Sequence, residues 1–139
     1  MTYEQFIAAL CLWREGRGSS KAALAGVYAV IRNRAADPAH RWSRSIPGVI
    51  LQPWQFSSFN ANDPNAGKFP MPPAPSAAVS PDWNAWLDCC AVVEAPIGAD
   101  PTDGATGYHS FPEGDPHTPS WADPARHTCD IGAFHFFKV

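Results

Sequence analysis

The chain of 139 residues has no apolar run near the roughly 20 residues that a membrane-crossing helix needs, so no stable membrane insertion is expected. It also lacks, at its start, a basic segment leading into an apolar one. Met1 passes straight into an amphipathic stretch carrying Glu4, which predicts a protein made in a cytoplasm without a secretory signal. Any substrate beyond the membrane then requires a separate means of release. The four cysteines, Cys11, Cys89, Cys90 and Cys129, include no C-x-x-C pair, so a zinc ribbon is excluded. For a cytoplasmic product free thiols are expected. A bridge from Cys89 or Cys90 to Cys129 after release stays open.

Other absences narrow the chemistry. No H-E-x-x-H occurs, and His127-x-Cys129 is not a common metal-ligand pair, so no metal site and no cofactor is expected, although His109, His117, His127 and His135 all fall late in the chain. A metal-dependent amidase or peptidase remains the alternative that those histidines permit. No G-x-S-x-G elbow marks Ser57 or Ser110 as a nucleophile. Arg32, Arg34, Arg41 and Arg44 are spread out with only Trp42 among them, which does not make a nucleic-acid surface.

What is present suits one compact domain over residues 1–139, with 45% hydrophobic residues for a core. The formal net charge of −3 is uneven: residues 1–68 hold 8 basic and 4 acidic groups, residues 69–139 hold 2 and 9. The halves could attract each other across a cleft, or the imbalance could sit on a solvated surface. Fifteen prolines, about twice the ordinary share, cluster in the second half and predict a helical first half and a loop-rich second half.

The first helix, Met1–Arg17, organises the rest. Tyr3, Phe6, Ile7, Leu10, Cys11 and Trp13 supply its apolar side chains, and Ile7 and Cys11 share one line along it. One more step of four reaches Glu15, just before Gly16 and Gly18. A carboxylate there is expected to be partly dry, and desolvation favours its protonated form. Such an acid can give a proton to a leaving group. The competing reading is a solvated glutamate paired with Arg14 or Arg17.

A second helix follows, capped by Ser19 or Ser20 and running to about Arg34, with Leu24, Val27, Tyr28 and Ile31 inward. Gly26 in it predicts close approach of another backbone. Ser45 caps a short third helix with Pro47 near its start and Ile46, Val49 and Ile50 inside. Between these two, Arg41-Trp42 leans to the surface. Leu51–Asn65 then combines aromatic planes (Trp54, Phe56, Phe59) with amides and hydroxyls (Gln55, Ser57, Asn60), the mixture a sugar site needs; the same aromatics could simply plug the core. Lys68–Ser80 is proline-rich and should be extended. Ser80-Pro81-Asp82 starts a fourth helix whose inner residues are expected to be Trp83, Trp86, Leu87, Cys90 and Val93. Asp100–Gly104 is a turn. Ala105–Phe111 and Ile131–Phe137 read as two strands of one ribbon, with a polar loop, Pro112–Asp130, between them. Asp103 is the candidate second carboxylate if two are needed.

Five segments taken in order, LWREGRG (12–18), GVYAVIRNR (26–34), IPGVILQPWQFS (46–57), DPTDGATGYH (100–109) and IGAFHFF (131–137), resemble the cell-wall hydrolases typified by the catalytic domain of spore-cortex lytic enzymes, a family that includes bacteriophage endolysins. The resemblance implies an α+β, mostly α, small lysozyme-like or lytic-transglycosylase-like domain with a short β-ribbon. It implies cleavage of the β-1,4 bond between N-acetylmuramic acid and N-acetylglucosamine in peptidoglycan glycan strands, as a lytic transglycosylase or a muramidase. By the same resemblance Glu15 is the acid/base, while Gln55, Phe56, Ser57, Tyr108 and His109 line the cleft. Gly16 and Gly107 depart from the family pattern, where larger residues are common, and should loosen the cleft. An endolysin working as a monomer after release by a holin-type partner from the host bacterial cytoplasm is the expected setting. A catalytically silent glycan-binding module is the remaining alternative.

Overall fold

The computed structural model describes residues 1–52, 55, 56, 72, 75 and 80–139. Ser57 and most of the stretches Leu51–Asn65 and Lys68–Ser80 therefore lie outside the described residues. The architecture is α+β and mostly helical: helices α1 (Tyr3–Gly16), α2 (Lys21–Ala35), α3 (Ile46–Leu51) and α4 (Pro81–Glu94), and a sheet of β1 (Gly107–His109), β2 (His127–Ile131) and β3 (Phe134–Phe137). None of the described helices is long and apolar enough to cross a membrane.

α1 is the central rod. Thr2 and Gln5 close its start as a capping box: the Gln5 amide donates to Thr2 Oγ1 (3.1 Å) and the Thr2 amide to Gln5 Oε1 (2.8 Å). Six consecutive residues, Ala8–Trp13, are then buried, so this part is enclosed on all sides rather than along one stripe. It packs against α2, α3 and α4 at once, which explains why no single apolar face is seen. Tyr3, expected inward, is exposed. α2 is capped by Ser20, α3 by Ser45 and α4 by Ser80, with Pro47 and Pro81 in the first turns of α3 and α4. In α4 the inner residues are Trp86, Cys89 and Val93; Leu87 is exposed and Cys90 only half-buried. The inner stripe is thus turned by about one residue from the expected one, toward Cys89.

The opposite charges of the two halves meet as exposed pairs between helices: Arg17 with Asp82 and Lys21 with Asp88, each at 3.5 Å. Pairs this exposed contribute about 0–1 kcal/mol each. All four cysteines are free thiols. Burial pushes Cys89 up to about 12, and burial followed by the nearby Glu15 pushes Cys11 well above its usual range.

The ribbon differs from the expected two strands. Gly132-Ala133 interrupts IGAFHFF as a hairpin turn, with Gly132 at φ +59°, so Ile131 ends β2 and Phe134 opens β3. β2 itself falls within the stretch read as polar loop, because its exposed side chains carry no alternating apolar pattern. The sheet order is β1-β3-β2, all antiparallel.

Two contacts fix the sheet against the helices. Gly26 faces not a backbone but the Phe136 ring: a Cβ built there lies 2.6 Å from Phe136 Cζ. The turn before β1 is gathered by Asp100. Its carboxylate accepts from Thr102 N (2.8 Å), Thr102 Oγ1 (2.7 Å) and Gly104 N (2.9 Å). It also accepts from Asn33 Nδ2 of α2 (2.8 Å), which donates to Ala105 O as well.

Candidate active site

Glu15 is the second-last residue of α1, four residues beyond the wholly buried Cys11. The helix carries it out of the core, and the side chain is half-buried at the rim. It lines a polar cavity of about 500 Å³ together with Arg34, Trp42, Gln55, Thr106, Gly107, Tyr108, Trp121 and Val139. The expectation that Glu15 emerges where the inner line of α1 meets open space agrees with this placement.

Tyr108 reaches Glu15 from the sheet. In β1 it pairs with Phe136, on the face turned to the helices, and its ring stands edge-on to Phe134 with centroids 5.3 Å apart. Tyr108 and Glu15 line the same cavity, and the phenol lies close enough to feel the Glu15 carboxylate. Burial, and then the Glu15 charge, push the Tyr108 phenol well above its usual range, so it keeps its proton and stays a donor.

Arg34, in the last turn of α2, closes the opposite wall. Its Nε donates to Thr106 O (2.7 Å) and its Nη1 to Gln55 Oε1 (3.1 Å). The guanidinium lies over the Trp42 and Phe56 rings, 5.4 and 5.5 Å from their centroids. Burial pushes its pKa down, while Tyr108 and Cys11 draw it up; a guanidinium remains a cation throughout. Trp42 Nε1 also donates to Gln55 Oε1 (3.1 Å), so the amide oxygen is held by two donors.

Of the residues expected in the cleft, Glu15, Gln55 and Tyr108 come together. Phe56 does not line the cavity; it is buried beneath Arg34. His109, next to Tyr108 in sequence, belongs to the other face of the sheet and lines a separate cavity. Asp103 is no partner for Glu15: it sits in the tight turn at φ +54°, 88% exposed, 3.9 Å from Lys138. The expected loosening at Gly107 and Gly16 is not seen. The space of a Gly107 side chain is taken by Val139 Cγ2 (2.6 Å) and Trp121 Cζ3 (3.1 Å), and that of Gly16 by Leu24 Cδ2 (3.0 Å). Arg34, Trp42, Thr106 and Trp121 were not singled out from sequence. Arg34 stood there as a scattered basic group at the end of the second helix; its setting between α2 and the Thr106 carbonyl exists only in three dimensions.

The acid of α1 thus stands beside a cavity lined by aromatic and amide side chains, on a small, mostly helical domain. The model of the cell wall hydrolase family matches residues 18–137, and the chain belongs to that family. Glu15 stands three residues ahead of the matched span, so its role is argued from the cavity. Among solved structures, the chain is similar to the catalytic domain of the germination-specific lytic transglycosylase SleB from Bacillus anthracis, at 24% identity and a TM-score of 0.64, over 99% of this chain and 97% of that one. The likeness at that identity concerns the fold. No curated protein sequence matches the chain.

Proposed function

We propose that this cell wall hydrolase cleaves the MurNAc-β-1,4-GlcNAc bond of peptidoglycan with Glu15 as the general acid and then the general base. The observation that carries the reading is the half-buried carboxylate at the end of α1, in a polar cavity with Tyr108, Arg34 and Gln55. Among the described residues, no second carboxylate lines that cavity. Glycosidases that use a carboxylate pair need the second group as nucleophile or as base for water. With Glu15 as the only carboxylate among the described lining residues, we assign the nucleophile to the sugar itself.

Glu15 gives its proton to the bridging oxygen as the bond from the muramic C1 breaks. The GlcNAc end leaves carrying its 4-hydroxyl, and positive charge develops at C1. The muramic 6-hydroxyl attacks C1 and passes its proton to the Glu15 carboxylate, restoring the acid and leaving 1,6-anhydromuramic acid. Tyr108, kept protonated in the same cavity, gives the carboxylate a polar neighbour in both steps, and Gln55, fixed through Arg34 and Trp42, offers an amide to the sugar.

Mass spectrometry of digested, purified glycan tests this. Anhydro ends, each lighter by one water than a reducing end, are expected. Reducing ends would turn the reading to a muramidase, and cleaved amide bonds would sink it. We extend the proposal to an endolysin-type setting: synthesis in the host bacterial cytoplasm, release through a holin-type partner and action as a monomer. Its support is the resemblance of the five segments to a family that includes endolysins. Lysis on co-expression with a holin, and sedimentation of the purified protein, check those points.

A further inference from the structure

We propose that His127, Asp130 and His135 form a binding site for one divalent transition-metal ion of the zinc class, on the outer face of the sheet and apart from the Glu15 cavity. A kink in β2 builds it. Along a regular strand, residues three apart point to opposite faces. Here His127 pairs with Phe137, Cys129 with Phe136 and Asp130 with His135, so one extra residue is accommodated between His127 and Cys129. His135 and Phe137 share a face of β3, and the bulge therefore returns His127 and Asp130 to one face beside them. Cys129, paired with Phe136, belongs to the inner face and directs its thiol to Pro101 O at 3.6 Å.

The three side chains converge. His127 Nε2 lies 2.7 Å and His135 Nδ1 2.8 Å from the same oxygen, Asp130 Oδ1. One ligand atom from each falls within 4.8 Å of the others. Zinc takes imidazole nitrogen and carboxylate oxygen at about 2.0–2.2 Å, which sets tetrahedral donors about 3.4 Å apart. A separation of the present pairs by roughly 0.6 Å admits the ion at that spacing. Each neutral imidazole then carries its proton on the other ring nitrogen.

The donor set chooses the metal. Two imidazoles and one carboxylate suit zinc, nickel, copper or cobalt, whereas calcium and magnesium require oxygen donors throughout. Three protein ligands leave a position open, and it faces a cavity of about 400 Å³ that also holds His109, Phe111 and Glu113. All three ligands are solvent-accessible, at 37, 54 and 32% side-chain exposure, so the ion can enter. Bound there, it joins β2 to β3.

Isothermal titration calorimetry of the full chain with zinc chloride tests the site, with thermal midpoints recorded with and without zinc. One zinc per chain at micromolar affinity or better is expected, with a raised midpoint and no response to magnesium. Asp130→Asn and His135→Ala should each weaken binding at least tenfold, and His117→Ala, on the exposed loop, should leave it unchanged. Cobalt bound to the wild-type chain should show visible d–d absorption of a four-coordinate nitrogen and oxygen site, a readout that depends on no variant. Absence of binding, binding that survives Asp130→Asn, or a sulfur-to-cobalt charge-transfer band would overturn the proposal.

Discussion

Tyr108 and His109 are neighbours in β1, yet they serve different faces of one sheet. Tyr108 turns toward the helices and lines the Glu15 cavity, while His109 turns outward and stacks beside Phe137, with the centroids 5.4 Å apart. The inner face borrows its precision from helices: Glu15 comes from α1 and Arg34 from α2, both elements locked by a shared core. The outer face is made by strand register alone, and its histidines and Asp130 are partly exposed. A sheet of three short strands can present two chemistries because its side chains alternate, and because each face meets a different kind of neighbour.

The sharpest way to break this comparison is Glu15→Gln. It keeps the shape of the side chain and removes the proton, so turnover on purified peptidoglycan should fall by at least roughly 10²–10⁴-fold with the circular dichroism spectrum unchanged. Asp130→Asn, on the outer face, should leave glycan cleavage in place. Tyr108→Phe retains the ring against Phe134 and removes only the hydroxyl that shares the cavity with Glu15. The expected outcome is a kcat lowered several-fold with little change in KM, read by steady-state digestion. Gln55→Ala deprives Arg34 Nη1 and Trp42 Nε1 of their shared acceptor. The expected outcome is a KM raised several-fold and a lower melting temperature, read by steady-state digestion and calorimetry.

Acid pH should loosen the support of the inner face by a smaller amount. Burial alone would raise the Asp100 carboxyl, but hydrogen bonds from Thr102, Asn33 and the Gly104 amide outweigh it and hold the group below its usual range. The stabilisation is therefore complete above the unfolded value of about 3.9 and is lost as the pH falls through the lower folded value. Melting temperatures across the acid range should show this slope, and Asp100→Asn should flatten it. The smallest effect separates thiols by position. Native alkylation followed by peptide mass mapping should label Cys90 and Cys129 and spare Cys11 and Cys89, which are fully buried and kept protonated.

The helices, and the place of Glu15 at the half-buried end of α1, were legible because their signals are local. Caps at Ser20, Ser45 and Ser80, prolines at first turns, and a step of four from Cys11 to Glu15 all lie within a few residues of what they determine. The sheet was less so. β2 carries exposed His127 and Asp130 where alternation would call for apolar residues, and a glycine-led turn splits a run that looks like one strand. The cluster of His127, Asp130 and His135 was invisible for a stricter reason: an odd spacing on a strand argues against a shared face, and only the bulge reverses that. Likewise Arg34 and Trp121 enter the Glu15 cavity from segments 87 residues apart, a meeting that no motif records.

Phe136, pressed onto α2 where Gly26 has no side chain, forms the back of the strand pair that carries Tyr108. The depth at which this ring seats is set by a single absent methyl group. That depth governs how far the phenol extends toward the acid. Enlarging position 26 would lift the strand from the helix and draw Tyr108 back, so the placing of one cavity wall is stored in a side chain that helix α2 leaves out.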